Sequence, residues 1–287
     1  MRQMVHNCPD CPYDSKYDMD SSRVLEIASK SDAGLVRSHN EDSIGSDASI
    51  GLAVLADGMG GYNAGEVASG IAVSMITSGM KAALSGRGQP DEASGESMLR
   101  EQVAAANSAI FNAARQRKEC EGMGTTLVAA LFFDGKVSVA HLGDSRMYRL
   151  RGGKLEIMTH DHSLLQEQLD SGMLTKEEAR FSQYRNIVTR ALGIEQDVEI
   201  EIRSFDVQPD DLYLLCSDGL NDMLEDEEIG LVLDTLRSNL KLAAEKLVAL
   251  ANENGGRDNI SVILVKVKQG IGVQRGLMSR LMSSFRK

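Results

Sequence analysis

The sequence has no hydrophobic run long enough to cross a membrane. Its longest unbroken apolar stretch, Leu127–Phe133, is far shorter than the roughly 20 residues that a transmembrane helix needs. The first residues, which include Arg2 and His6, also lack the apolar core of a secretory signal peptide. We therefore expect a soluble protein of the cytoplasm.

Cysteines and basic residues are also scarce. Four cysteines in 287 residues exclude a small scaffold built on disulfides. Cys8 and Cys11 form a Cys-x-x-Cys pair near His6, but no second pair follows at zinc-finger spacing, which favours a solvated leader over a zinc site. The 31 basic residues stand against 42 acidic ones, and the net charge of −11 argues against binding of nucleic acid, which is a polyanion.

Composition divides the chain into three parts. Residues 1–22 contain scattered aspartates and prolines without any periodicity, which predicts a mobile acidic leader. Residues 23–269 carry periodic apolar segments and are predicted to form the folded domain. Residues 270–287 form a separate basic tail.

The tail is amphipathic as well as basic. It contains no acid, and its apolar residues recur at helical spacing. One interpretation is a helix that docks on an anionic membrane surface or on a partner protein. The other is a solvated tail, or a helix that folds back on the acidic body. The apolar stripe consists of Leu277, Met278, Leu281, Met282 and Phe285.

Strand-like and helical segments occur in blocks and do not alternate regularly. Asp-Gly at 134–135 and Gly-Gly at 152–153 separate apolar runs, which predicts hairpins and hence antiparallel sheets. This order favours an α+β fold, with antiparallel sheets covered by helices. Strands are predicted at 24–28, 51–56, 125–133, 136–142, 146–150, 197–205, 211–216 and 260–265, helices at 64–84, 97–118, 226–237 and 240–253, and a polar helical insert at 163–192.

Single aspartates mark the ends of four apolar strands. Asp57, Asp144 and Asp218 each follow a strand, and Asp258 precedes the last one. If these ends converge, the clustered carboxylates need a cation, and an all-oxygen site selects Mg²⁺ or Mn²⁺ over zinc. The alternative is that each Asp-Gly doublet is merely a tight turn. One sequence does not show which ends meet.

Seven short strings, taken together, resemble a known family. They occur in the order found in metal-dependent protein phosphatases of type 2C, and the likeness is greatest to the bacterial stand-alone form, over residues 24 to 268. The strings are Arg37-Ser38-His39-Asn40-Glu41-Asp42, Asp57-Gly58-Met59-Gly60-Gly61, Gly124-Thr125-Thr126, Gly143-Asp144-Ser145-Arg146, Asp161-His162-Ser163, Ser217-Asp218-Gly219-Leu220 and Arg257-Asp258-Asn259-Ile260.

The resemblance implies a fold and an activity. The fold is a four-layer αββα sandwich, in which two mainly antiparallel sheets are flanked by helices. The activity is hydrolysis of phosphoserine and phosphothreonine in proteins by a hydroxide that bridges two metal ions, in opposition to a bacterial Ser/Thr kinase. Residues 23–269 would then be the catalytic domain. A catalytically silent member that binds phosphoproteins or acts as a scaffold is the alternative.

The resemblance also implies roles for individual residues. Asp57 and the Gly58 carbonyl would bind one Mn²⁺ or Mg²⁺, and Asp57 would share the second with Asp218 and Asp258. Glu41 and Asp42 would bind the water around these ions. A third, weaker ion would lie at Asp144, Asp218 and Asp222. Arg37 would clamp the substrate phosphate, although a surface ion pair with a neighbouring acid is its simpler interpretation.

Two features depart from the family pattern or extend it. Met59 and Tyr62 stand where many members have histidine, so the proton for the leaving group would come from water on the metal or from the Tyr62 phenol. We interpret His39 and His141 as structural or solvated, and we assign no catalytic role to His162, although it lies in one of the strings. The insert 164–192 resembles a mobile flap that borders the active site of bacterial members.

Overall fold

The computed structural model describes residues 24–61, 64–85, 90–179, 182 and 187–268. The predictions for the leader 1–22, for Tyr62 and for the tail 270–287 therefore lie outside the described residues. The limits predicted for the folded domain, 23–269, stay a prediction.

In the described part of the chain, eleven strands build two sheets, and every strand pairing among them is antiparallel. The first sheet contains, in spatial order, β1 (Leu25–Asp32), β11 (Ile260–Val267), β10 (Leu212–Cys216), β7 (Arg146–Arg151) and β8 (Lys154–Ile157). The second contains β2 (Asp42–Asp47), β3 (Leu52–Met59), β5 (Leu127–Phe133), β6 (Lys136–Leu142) and β9 (Glu201–Asp206), with β4 (Gly124–Thr125) paired to β3.

The two hairpins predicted from turn residues are present. Asp134 and Gly135 both have positive φ, 35° and 77°, between β5 and β6. Gly152 and Gly153 likewise have φ of 58° and 78° between β7 and β8. Two successive left-handed residues give the turn whose twist matches that of paired strands, and Asp-Gly and Gly-Gly tolerate this conformation best.

Helices cover the outer face of each sheet. The caps are local: the Asp91 side chain accepts from the Ser94 amide at the start of α2, and Asn239 accepts from the Leu242 amide at the start of α7. The helices are α1 (Ala64–Leu84) and α2 (Glu92–Gln116) on the second sheet, α5 (Asp218–Asn221), α6 (Asp226–Thr235) and α7 (Leu240–Glu253) on the first, and α3 (Leu164–Asp170) and α4 (Lys176–Ala179) in the insert.

Three apolar layers hold the four-layer sandwich together. Ala72 and Ile76 of α1 pack with the second sheet, and Leu247 of α7 packs with the first. Between the sheets, the Phe132 and Tyr213 rings meet edge to face with centroids 5.2 Å apart. The predicted αββα fold is therefore confirmed. By length and composition alone α1 is apolar enough to span a membrane, as buried core helices often are.

Some predicted boundaries are wrong. Helix α2 starts at Glu92, five residues earlier than predicted, and strands β2 and β8 were not predicted. The insert is not one helical stretch: in its described part only α3 and α4 are helical. Helix α3 ends before Gly172, whose φ of 71° is left-handed. The two ends of the insert are joined by a backbone hydrogen bond, in which the Leu164 amide donates to the Ile187 carbonyl at 2.9 Å.

Candidate active site

Asp57 lies inside a strand and not in a turn. It is directly opposite Asp42 in the β2–β3 ladder, and β4 continues the pairing beyond it at Gly58 and Met59. The tight-turn interpretation of the Asp57-Gly58 doublet is therefore wrong. Like charges directly opposite each other destabilise a sheet, so these two carboxylates need a compensating partner.

The first sheet brings two more carboxylates to the same end. Because β10 and β11 are antiparallel neighbours, the end of β10 that leads to Asp218 lies beside the start of β11 that follows Asp258. The Ser217 hydroxyl joins the two sheets, since it donates to Asp42 Oδ2 at 2.8 Å and accepts from the Ser261 amide at 3.0 Å. The aspartates predicted from separate strands thus reach one end of the sandwich.

Asp144 reaches this end from the turn between β6 and β7. Gly143 before it has a φ of 97°, which favours glycine, and Asp144 is only 8% exposed. Asp222 is exposed at the end of α5, where its amide donates to the Asp218 carbonyl at 2.8 Å. The charges of Asp144 and Asp222 both act on the Asp218 carboxyl, so the residues of the predicted third site are neighbours.

Burial and mutual repulsion raise the pKa values of these carboxyl groups. Burial is the main cause for Asp57 and Asp218, whose pKa values rise well above the usual range, and the neighbouring aspartates add to the rise. Burial also raises the pKa of Asp42 to about 6 and that of Asp144 to about 6. The Glu41 pKa is raised as well, again mainly by burial. Such a site takes up either protons or a cation.

Two buried carboxylate oxygens here have no hydrogen-bond partner among the described residues, namely Oδ1 of Asp42 and Oδ1 of Asp218. An unpaired buried acceptor costs about 1–3 kcal/mol. A divalent cation would satisfy these oxygens, and the all-oxygen donor set fits Mg²⁺ or Mn²⁺. Within the described ranges, no three acidic, histidine or cysteine side chains are close enough together to form a complete metal site. The donor chemistry nevertheless fits the predicted metals.

Gly58 is fixed by close backbone packing. A methyl group at Gly58 would overlap the Gly65 carbonyl oxygen and lie 2.6 Å from the Glu41 carbonyl oxygen. The first turn of α1 therefore contacts the end of β3 directly. Glu41 is held at the same point, since its amide donates to Asn259 Oδ1 at 2.8 Å and its carbonyl accepts from the Gly58 amide at 3.1 Å. No side chain fits at position 58.

Arg37 pairs with one of the predicted metal ligands. Its Nη2 lies 2.6 Å from Asp258 Oδ2, and its side chain is 53% exposed. The hydrogen bond to Asp258 raises the Arg37 pKa, and the charges of Glu41 and Asp218 add to the effect. The surface ion pair that was the simpler interpretation of Arg37 is thus present, but the acid in this pair, Asp258, is itself a predicted metal ligand. The guanidinium therefore stands at the edge of the carboxylate cluster.

Sequence reasoning missed the polar side chains that hold the carboxylates in place. The Thr125 hydroxyl donates to the Asp57 carbonyl at 2.8 Å, and the Thr126 hydroxyl accepts from the Asp57 amide at 3.1 Å. The Asn259 side chain donates to the His39 carbonyl at 2.9 Å. All three residues stand inside the quoted strings, and membership in these strings is the signal that the sequence offers.

His141, which was predicted to be structural or solvated, and the neighbouring His162 both have structural contacts. The His141 and His162 rings stack with centroids 4.9 Å apart. His141 Nε2 lies 2.9 Å from the Ser145 carbonyl, and burial lowers the His141 pKa to about 3. His162 Nδ1 accepts from the Gly143 amide at 3.2 Å. Both rings therefore support the turn that carries Asp144.

The C-terminal end of the insert is anchored to the body. Leu192 and Thr125 exchange two backbone hydrogen bonds of 2.8 and 3.1 Å. The Gly193 amide donates to Asn107 Oδ1 at 2.7 Å, and the buried Asn107 side chain donates to two further carbonyl groups in the segment that follows. The insert thus ends one strand away from Asp57.

Known proteins resemble the chain over most of its length. Residues 36–258 match the family model described as Protein phosphatase 2C. The chain is 38% identical over 240 residues to serine/threonine phosphatase stp of Listeria welshimeri, which covers 83% of this chain and 94% of that protein. It is 41% identical over 247 residues to serine/threonine protein phosphatase PstP of Mycobacterium tuberculosis, which covers 85% of this chain and 45% of PstP.

A solved structure shows the same architecture. The catalytic domain of PstP, in complex with two manganese ions, matches with a TM-score of 0.77 at 38% identity, over 86% of this chain and 99% of that one. The sandwich fold and its carboxylate-lined end place the chain among the metal-dependent phosphatases. Within that class, the chain belongs to the protein phosphatase 2C family.

Proposed function

We propose that the protein removes phosphate from phosphoserine and phosphothreonine in proteins, with Mn²⁺ or Mg²⁺ as cofactor. The observation that carries the proposal is the meeting of Asp57, Asp218 and Asp258 from both sheets at one end of the sandwich, with Arg37 at its edge. The family membership supports the same activity.

Four residues would hold two divalent cations in this proposal: Asp57, Asp218 and Asp258 through carboxylate oxygens, and Gly58 through its carbonyl. Bound divalent cations would lower the pKa of water, so that hydroxide is available to attack phosphorus at neutral pH. They would also neutralise negative charge on the phosphoryl oxygens. The protein's own part is to aim the carboxylates. Thr125 fixes the backbone of Asp57, and Ser217 fixes the carboxylate of Asp42 beside it.

Arg37 would bind the phosphoryl group of the substrate. Its planar guanidinium pairs with two oxygens at once, and its half-exposed position lets it meet an incoming phosphate. Glu41 and Asp42 would orient water near the phosphorus, because the half-buried Glu41 and the buried Asp42 are acceptors beside the proposed ligands.

Four finer assignments belong to the same proposal. A third cation would lie at Asp144, Asp218 and Asp222, whose charges act on one another. The enzyme would work in the cytoplasm and in signal transduction, where it would oppose a Ser/Thr kinase and act on the substrates of that kinase. The tail 270–287 would dock a partner or a membrane surface.

The test is hydrolysis of p-nitrophenyl phosphate and of a phosphothreonine peptide, with added Mn²⁺ and with EDTA. We expect Mn²⁺-dependent turnover of both substrates, loss of turnover in Asp57→Asn, and full turnover in the control Asp234→Asn on the outer helix α6. Inert protein at every Mn²⁺ concentration, with retained binding of the phosphopeptide, would favour the silent scaffold instead.

A further inference from the structure

Two large apolar side chains stand in solvent directly before Arg37. Leu35 is 69% exposed and Val36 is 68% exposed. Single exposed apolar residues are common on protein surfaces. Two adjacent ones, next to the residue that would bind the substrate phosphate, are a more specific feature. We define Leu35 and Val36 as the apolar doublet.

The backbone of the apolar doublet is fixed. The amides of Leu35 and Val36 both donate to the Gly256 carbonyl, at 2.7 and 3.2 Å. A methyl group at Gly256, whose φ is 49°, would come within 2.9 Å of Leu35 Cγ, and one at Gly34 would overlap the Asp258 carbonyl oxygen. The doublet is therefore held in place on the segment that carries Asp258, and its exposure is not the result of a loose loop.

The position of the doublet fixes what can contact it during the reaction. The Arg37 guanidinium lies 2.6 Å from Asp258, so a phosphate that binds Arg37 also lies at the carboxylate cluster. In an extended peptide each residue spans about 3.3–3.6 Å. The residues that flank a phosphorylated side chain bound there are therefore within reach of the segment that carries Leu35 and Val36, which is adjacent to Arg37 in sequence and hydrogen-bonded to Gly256.

We propose that the apolar doublet is a recognition surface for an apolar side chain that flanks the phosphorylated residue of the substrate. This inference rests on the proposed function and adds a preference for apolar sequence around the phosphate. A second copy of the chain does not fit the surface, because two side chains are far less than the roughly 1,000 Å² that a stable interface buries. A substrate residue needs only a contact of this size.

The experiment compares two phosphothreonine peptides that are identical except that the residues on both sides of the phosphothreonine are leucine in one and serine in the other. The enzyme is assayed with Mn²⁺ as wild type, as Leu35→Ser, as Val36→Ser and as the double variant. Leu231→Ser is the matched control, since Leu231 is also 69% exposed but lies on α6. The readout is the ratio of kcat/KM for the leucine peptide to kcat/KM for the serine peptide.

We expect the wild type and Leu231→Ser to share a ratio well above one, and the double variant to reduce this ratio by about five- to thirty-fold, which is the scale of partly burying one aliphatic side chain. A wild-type ratio near one, or a ratio that the double variant leaves unchanged, would overturn the inference. Turnover of p-nitrophenyl phosphate by the wild type distinguishes a failure of this inference from a failure of the proposed function. If the wild type hydrolyses neither the peptides nor p-nitrophenyl phosphate, the proposed function is wrong, and the recognition surface is wrong as well.

Discussion

Asp218→Asn should make the metal-free protein more stable while it removes metal binding. Asp218 has a buried Oδ1 without a hydrogen-bond partner, and its pKa is raised by burial and by the neighbouring aspartates. Asparagine keeps the shape of the side chain and removes the charge. The charged carboxylate therefore destabilises the metal-free fold, and a bound cation would offset this destabilisation.

The magnitude follows from the buried charge, because asparagine still places an unpaired oxygen or nitrogen at this position. Removing one desolvated charge from a cluster of like charges is worth about 1–3 kcal/mol, and each kcal/mol shifts Tm by about 2–4 °C in a protein of this size class. In EDTA at pH 7.5, Asp218→Asn should therefore melt about 2–12 °C above the wild type. Added Mn²⁺ should raise the wild-type Tm, by about 2.7 kcal/mol of stability at one hundred times Kd, and should raise that of the variant far less.

The pH dependence gives a second readout of the same effect. A carboxyl whose pKa is higher in the folded state than in the unfolded state binds more protons when folded, so stability falls as pH rises from about 4 through the folded pKa. The advantage of Asp218→Asn in EDTA should therefore shrink as the pH is lowered towards 4, because the raised pKa favours protonation of the wild-type carboxyl in the folded state. Differential scanning fluorimetry measures both effects, with the exposed Glu245→Gln on α7 as a control for lost charge.

One result would refute this reasoning. If Asp218→Asn in EDTA melts at or below the wild-type temperature, and Mn²⁺ stabilises both proteins equally, then Asp218 neither destabilises the metal-free fold nor binds the cation.

Three further predictions concern other parts of the molecule. Arg37→Ala should lower kcat/KM for p-nitrophenyl phosphate at saturating Mn²⁺ by about 10- to 100-fold, with Arg37→Lys intermediate, and unchanged steady-state kinetics would reduce Arg37 to a surface ion pair. Asn107→Ala removes three buried hydrogen bonds and should lower the free energy of unfolding in urea by about 2–4 kcal/mol, whereas the exposed Asn112→Ala should change it by less than about 0.5 kcal/mol. Because the His141 pKa is lowered to about 3, its contribution to stability is complete above about pH 6.5 and is lost as pH falls below that value, by up to about 1.4 kcal/mol per pH unit. Urea titrations between pH 5 and 7 should show a flatter profile for His141→Gln, and an equal slope would contradict the assignment.

Much of the fold was predictable because its signals are local. The hairpins at 134–135 and 152–153 and helices α1 and α7 follow from turn residues and helical periodicity. Helix α2 begins earlier than its apolar stripe because Asp91 caps it, and Gly95 allows its first turn to contact the Phe133 ring. The residues of that turn are polar or small, so periodicity does not reveal them.

The site was predictable only in part, for a related reason. The quoted strings supply the carboxylates, but they do not state which strand lies in which sheet. The hydrogen bond from Ser217 to Asp42 joins residues 175 positions apart, and the opposition of Asp42 and Asp57 depends on the β2–β3 register. Strand β2, with the sequence Asp-Ser-Ile-Gly-Ser-Asp, has too few apolar residues to indicate a strand at all.

The Ser217–Asp42 hydrogen bond makes the active site sensitive to substitutions in the protein interior. Its two ends belong to different sheets, whose relative position is set by interior contacts such as the one between Phe132 and Tyr213. A hydrogen bond tolerates stretching by only a few tenths of an ångström. An interior substitution that shifts one sheet relative to the other would therefore weaken this bond at the active-site end of the sandwich. Turnover therefore depends on the relative position of the two sheets, and on heating it should be lost at a lower temperature than that at which the sheets unfold.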